Sequence, residues 1–593
     1  MTPHRRVHRR ARVIGAVIAA LITVVAAAVL PGPALAALPS SASAAPKAKT
    51  ERVETVVKDP TIPDTVEETY VKLRVPMGGA PHPEACDWIG YLRFRAKSGP
   101  RDSKAADAVM TSMPGFTGGA AMLTQNGAQT VDKALAKGKH VEYWAMDRRA
   151  NCLEDHRGLD AANRTHNPDV AIDYYWHGKE VDGHKFAGWP SDKQLGVLGD
   201  IGLARTMDDW HALISEAGLN PRRTLCGGHS MGGPLTAMFA SWDFNGTPGW
   251  SLCRGGYFSI DTFISTDPLA LRSFPFLKQV LDTLGGPTLG TLNAVIKNGP
   301  RSLGFTQIMS PKVFATVALL GLAARYDGNR ETDVYKRLPK DDQVDLALRL
   351  TSSRTYGQFL SGKPQLRDFR FTGEAALGVM LNRASQPLGL LQLGLGTLDG
   401  GPVGQKYFPV PGQLGHIPFL GDLLANTAGL VNQYAPTDTK KLYRWRNYDQ
   451  VGAPDAPKQV DDLGKPYVTP GKVVTDIKQL AVSLSSPGPA DVDEWYFPTR
   501  LAVEWGLALA GVRSGDLAHL KHEDGPKRNP QVSAIAEESP IKYWQLIGLV
   551  PKDAVLARGY HHIDMAAAAA RQNNGKPEIV SKTFADFVVK RSG

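Results

Sequence analysis

What this sequence has little of narrows its chemistry first. Cysteine occurs only four times in 593 residues, and no histidine or cysteine spacing of the zinc-binding type is present. There is no glycine-rich dinucleotide fingerprint and no P-loop, so nothing in the sequence points to a bound nucleotide. Lysine and arginine form no stripe with interleaved aromatics, which removes nucleic acid from the expected partners. No internal repeat is apparent. Beyond the N-terminal leader, no stable membrane span is expected.

What is there begins with that leader. Arg5, Arg6, Arg9, Arg10 and Arg12 precede an uncharged run over residues 13–30, and Pro33-Ala34-Leu35-Ala36 supplies a small-x-small cleavage site. This pattern predicts a secretory signal peptide over 1–36, the alternative being an N-terminal membrane anchor. Residues 37–64 read as a flexible lead, rich in Ala, Ser, Pro and Lys as far as about residue 50. The formal charge of +10 falls to +5 once the five leader arginines are removed. A mature chain of about 550 residues exceeds one ordinary domain, and its apolar content is ample for a large core.

Alternating or uniformly apolar segments at 69–75, 88–95, 108–113 and 140–146 read as strands, and residues 203–219 have helical periodicity. A short apolar strand at 223–227 leads into Gly228-His229-Ser230-Met231-Gly232, and Gly233-Pro234 starts a helix. Strands are expected again at 257–266, 532–536 and 553–558, with helical re-entry at 495–510. Strand and helix in alternation imply an α/β, doubly wound, mostly parallel sheet. Between 268 and 493 the alternation dissolves into apolar helical stretches (313–323, 344–350) and glycine-rich loops. Residues 155–200 read as polar, aromatic loop. Asp147, Arg148 and Arg149 read as a structural group that pairs internally.

The strand, Gly-His-Ser-Met-Gly-Gly turn and helix resemble the nucleophile elbow of the α/β-hydrolase superfamily of lipases and esterases. The resemblance covers residues 65–267 and 494–593 and implies that 268–493 is a large, mainly helical cap. It implies Ser230 as nucleophile, in a left-handed turn that glycines at 228 and 232 leave room for. It places an oxyanion loop at 114–119, where proline replaces the usual histidine, and implies the N–H groups of Phe116 and Met231 as donors. The base falls in the loop after the last strand: His562 is preferred to His561, with Asp564 as cap of the following helix. The acid is expected after the penultimate strand, at Glu538, with Glu537 second and Asp267 third.

The same sheet order puts Cys86 and Cys152 at one end of neighbouring strands and implies their disulfide. Cys226 and Cys253 remain open between a second bridge and buried thiols. The activity implied is a secreted serine hydrolase that cleaves a small or lipid-like carboxylic ester through an acyl-enzyme, with no cofactor and no metal required. A serine peptidase, amidase or acyltransferase would use the same groups, and an exported binding protein on a retired scaffold is the reading from a different class.

Overall fold

The structure, a computed structural model, describes residues 51–592 except 80, 268–298, 304–308, 409–432, 454–458, 487, 489 and 574. The expected signal peptide therefore lies outside the described residues. Among the described residues nine strands form one sheet: β1 (Arg52–Val57), β2 (Val66–Arg74), β3 (Trp88–Ala96), β4 (Ala108–Met113), β5 (Val141–Met146), β6 (Thr224–His229), β7 (Gly256–Ile260), β8 (Gln531–Ala536) and β9 (Val555–Ala557). Their order is β1-β2-β3-β5-β4-β6-β7-β8-β9. From β5 to β9 every pairing is parallel, and β1, β2 and β3 close one side in antiparallel.

Helices cover both faces because each parallel strand is apolar on both sides. Met110, Tyr143, Leu225 and Phe258 enter one layer with helices α1 (Thr124–Leu135) and α5 (Ile579–Arg591). Their neighbours Val109, Trp144, Cys226 and Tyr257 enter the opposite layer with α2 (Leu203–Glu216), α3 (Gly232–Ser241) and α4 (Thr499–Leu509). The side-chain period of two thus divides each strand between two cores. The α/β class and the mostly parallel sheet agree with the sequence reading.

Other expectations change. Residues 52–57, part of the expected flexible lead, pair along their whole length with β2 as an edge strand, held by the backbone ladder although every side chain but that of Val57 is exposed. Residues 157–165 and 168–177 are helices rather than loop. Asn167 caps the second, Pro168 starts it and Gly178 ends it in the left-handed conformation. Tyr175 there lies 5.1 Å from Phe186 and 6.0 Å from Trp495, so the aromatics read as loop form a core. Residues 299–485 contain helices, notably Pro311–Asp327, Gly373–Leu381 and Ile477–Leu484, and also a four-stranded sheet of residues 331–332, 370–372, 442–447 and 396–399. The "mainly helical" expectation for this stretch is therefore too simple.

Both pairs of cysteines are bonded. Cys86–Cys152 joins the short turn before β3 to the segment after β5, as expected. Cys226–Cys253 fastens β6 to the turn before β7, which settles the pairing left open by the sequence. No helix among the described residues is long and apolar enough to cross a membrane.

Candidate functional site

At the C-terminal end of β6 the chain turns sharply into α3. Ser230 occupies the turn at φ +53°, in the left-handed region that costs a non-glycine residue about 1–3 kcal/mol. Its surroundings hold it there: the Ser230 N–H donates to the Ile260 carbonyl at 3.1 Å, and the Ser230 carbonyl accepts from the Gly233 N–H at 3.1 Å. A Cβ at Gly228 would stand 2.5 Å from the Met113 carbonyl oxygen, and one at Gly232 would stand 2.1 Å from it. The two glycines of the motif are thus required by the close approach of β4.

His229 and Ile260 are register partners on β6 and β7, so Ser230 and Asp261 leave the same end of adjacent strands. Asp261 is itself at φ +46° and fully buried. One carboxylate oxygen accepts the Ala536 N–H at 2.8 Å, and the other stands 2.5 Å from Nδ1 of His562. With Nδ1 donating to Asp261, Nε2 is the ring nitrogen left to exchange a proton. His562 is fixed from a second side, because Nε2 of His229 lies 3.0 Å from its carbonyl oxygen. A carbonyl only accepts, so His229 is the Nε2–H tautomer. Burial, then the neighbouring His562, hold its pKa far below the usual histidine value, and the ring is neutral.

The carboxylate on His562 is therefore Asp261, and the expected acids are elsewhere. Glu538 is 2.9 Å from Nζ of Lys472 and its N–H donates to the Tyr560 carbonyl. Burial alone would raise its pKa, but Lys472 holds it below the ordinary carboxylate range. Glu537 accepts the Gly559 N–H at 2.9 Å. Both glutamates brace the 557–560 turn that leads to the histidines. Asp267 is exposed at the end of its described segment. Asp261 escaped notice because the strand was expected to run to residue 266; it ends at Ile260, and a carboxylate at the first position beyond a buried parallel strand was the available signal.

His561 has a separate partner. Its N–H donates to, and its Nδ1 lies 2.8 Å from, the same oxygen of Asp564. The other Asp564 oxygen accepts from Thr475 Oγ1 at 2.6 Å and from the Gly394 N–H at 3.0 Å. Asp564 thus ties three distant segments together instead of capping the short helix Asp564–Ala567 with its side chain.

The 114–119 loop passes over Ser230, since a Cβ at Gly115 would stand 3.1 Å from the Ser230 Cβ. Among the described residues, neither the Phe116 nor the Met231 N–H is used in a backbone hydrogen bond. The loop's shape is set by Arg148. Its guanidinium donates to the carbonyls of Pro114 (3.2 Å), Gly115 (2.9 Å) and Gly118 (2.8 Å), while Nε donates to Glu494 at 2.6 Å. Residues 491–494 pair with the loop's far side, Glu494 N–H to Thr117 O and Gly119 N–H to Val492 O. Arg148 does not pair with its neighbours as expected. Arg149 is held by Asp209 and the Val75 and Cys86 carbonyls, and Asp147 accepts from Tyr70 and Asn151. Three adjacent charges, where the strand end passes into the short helical turn Arg149–Leu153, reach different partners. Burial pushes Asp147 up to about 7, against the hydrogen bond from Tyr70.

Compared with known proteins, the chain matches no protein-family model and no curated protein.

Proposed function

We propose that this protein is an exported serine hydrolase of the α/β-hydrolase type that cleaves carboxylic esters, with residues 268–493 as its cap. The reading is carried by one observation: a serine in a left-handed strand-to-helix turn, level with an aspartate whose carboxylate holds Nδ1 of His562. In this mechanism His562 Nε2 takes the Ser230 proton as Oγ attacks the acyl carbon. Asp261 fixes the tautomer and stabilises the imidazolium. The N–H groups of Phe116 and Met231 receive the developing oxyanion. His562 then returns the proton to the leaving alcohol, and water, deprotonated by the same ring, releases the acid from the acyl-enzyme. Two disulfides fit an oxidising compartment.

Mass-spectrometric mapping of a fluorophosphonate adduct tests the nucleophile, and a panel of nitrophenyl esters beside peptide anilides tests the reaction. The adduct is expected on Ser230 with ester turnover. Absence of labelling in folded protein would remove the enzymatic reading, and anilide cleavage without ester turnover would replace the esterase with a peptidase.

A further inference from the structure

We propose that Glu154, His156 and Asp491 form a structural site for a divalent cation, Zn2+ by its ligand chemistry, beneath the 114–121 loop. Nε2 of His156 lies 3.0 Å from a Glu154 oxygen and 3.8 Å from an Asp491 oxygen, and one ligand atom from each of the three lies within 4.8 Å of the others. In a four-coordinate zinc site with bonds of about 2.0–2.1 Å, ligand atoms stand about 3.3 Å apart. The two observed spacings fall on either side of that value, and the third is no more than 4.8 Å.

A second observation points to a ligand. Among the described residues neither carboxylate oxygen of Asp491 receives a hydrogen bond from a nitrogen or hydroxyl donor; its near neighbours are the Glu154 carboxyl group and His156 Nε2 at 3.8 Å, and the residue is 7 % exposed. A carboxylate left this way costs several kcal/mol unless something positive meets it. The nearest candidate, His156, already lies closer to Glu154. A dication between the three answers both carboxylates at once. One imidazole nitrogen with two carboxylate oxygens suits Zn2+, whereas Ca2+ prefers six to eight oxygens.

The ligands are held from outside the site, as metal ligands are. The second Glu154 oxygen accepts the Trp495 N–H at 2.7 Å. The His156 ring lies 5.2 Å from that of Trp495, and Gly488 packs so closely that a Cβ there would stand 2.3 Å from the imidazole Cγ. The ion would join residues 154–156 to 491, whose carbonyl accepts the Ala121 N–H at 3.0 Å. It would thereby anchor the loop that carries Phe116. Glu154-x-His156 is visible in the sequence, but Asp491 lies too far along the chain for spacing to suggest it.

The site does not depend on the hydrolase reading, because metal content reads it directly. Purified protein is equilibrated with Zn2+, passed over a chelating resin and analysed for bound zinc. One Zn2+ per chain is expected in the wild type, with at least a tenfold loss in Asp491→Asn and in His156→Gln. Chelator is expected to lower the wild-type Tm and to leave the variants' Tm unchanged. Wild-type protein without stoichiometric zinc overturns the proposal, as do variants that retain as much as the wild type. If the variants do not fold, Co2+ loaded into the wild type decides: intense visible bands of a tetrahedral nitrogen–oxygen site support it, and the weak spectrum of octahedral Co2+ overturns it.

Discussion

His561 and His562 are neighbours in sequence, and each sets Nδ1 against an aspartate, yet the two pairs sit in different surroundings. His561 and Asp564 are three residues apart, and Asp564 spends its remaining capacity on Thr475 and Gly394, so the pair is a knot between segments. His562 and Asp261 are 301 residues apart, and Asp261 stands one position beyond the register partner of His229, the residue before Ser230. On the proposed function only the second pair is catalytic, so a histidine–carboxylate contact does not by itself mark a site. What separates the two is the strained serine at the same sheet end.

The largest expected effect breaks the comparison at the rings. His562→Ala should lower kcat for ester hydrolysis by about 10⁶-fold, as loss of a relay base does, whereas His561→Gln should stay within about tenfold of wild type and lower Tm instead. Steady-state kinetics beside thermal melts separate them, and equal losses of kcat would erase the distinction.

Next comes the loop that Arg148 shapes. Arg148→Lys keeps the charge beside Glu494 but cannot reach three carbonyls with one ammonium, so kcat should fall about 10²-fold with little change in KM. An unchanged kcat would mean that the loop holds its shape without the guanidinium.

A third test uses pH and sharpens the role of His229. Its folded pKa is depressed, so the unfolded chain binds the extra proton below about pH 6.5 and stability falls as pH drops from there, by up to about 1.4 kcal/mol per pH unit. His229→Gln should remove that share of the slope in Tm between pH 6.5 and 4.5 while leaving stability above pH 7 less affected. Parallel curves for the two proteins would contradict a neutral, buried His229.

The smallest effect is expected from Glu538→Gln. Its partner Lys472 is more than a third exposed, so the pair contributes less than about 1 kcal/mol, and kcat should change less than threefold.

Much of this was legible because local chemistry and global position coincided. The strand-to-helix turn carries its own steric requirement in Gly228 and Gly232, and β4, buried on both faces, shows as an uncharged run of small and apolar residues that the structure reproduces at residues 108–113. Asp261 was legible only as a carboxylate just past a buried apolar run, since where that strand ends is set by the neighbouring strand β8, whose Ala536 N–H donates to the carboxylate. The Arg148 clamp was hidden for a related reason: its acceptors are carbonyls, which every residue offers and no sequence distinguishes. The helices at 157–177 were obscured because their apolar faces are aromatic and interrupted by polar residues, and only the packing with Phe186 and Trp495 makes them a core.

The rate at which a fluorophosphonate phosphonylates Ser230, with loss of fluoride, in Asp261→Asn, compared with Glu538→Gln, tests the central arrangement most directly. The geometry predicts a fall of about 10³–10⁴-fold in Asp261→Asn, where the ring loses its anchored tautomer, and a near-wild-type rate in Glu538→Gln. An unimpaired Asp261→Asn together with a disabled Glu538→Gln would contradict it.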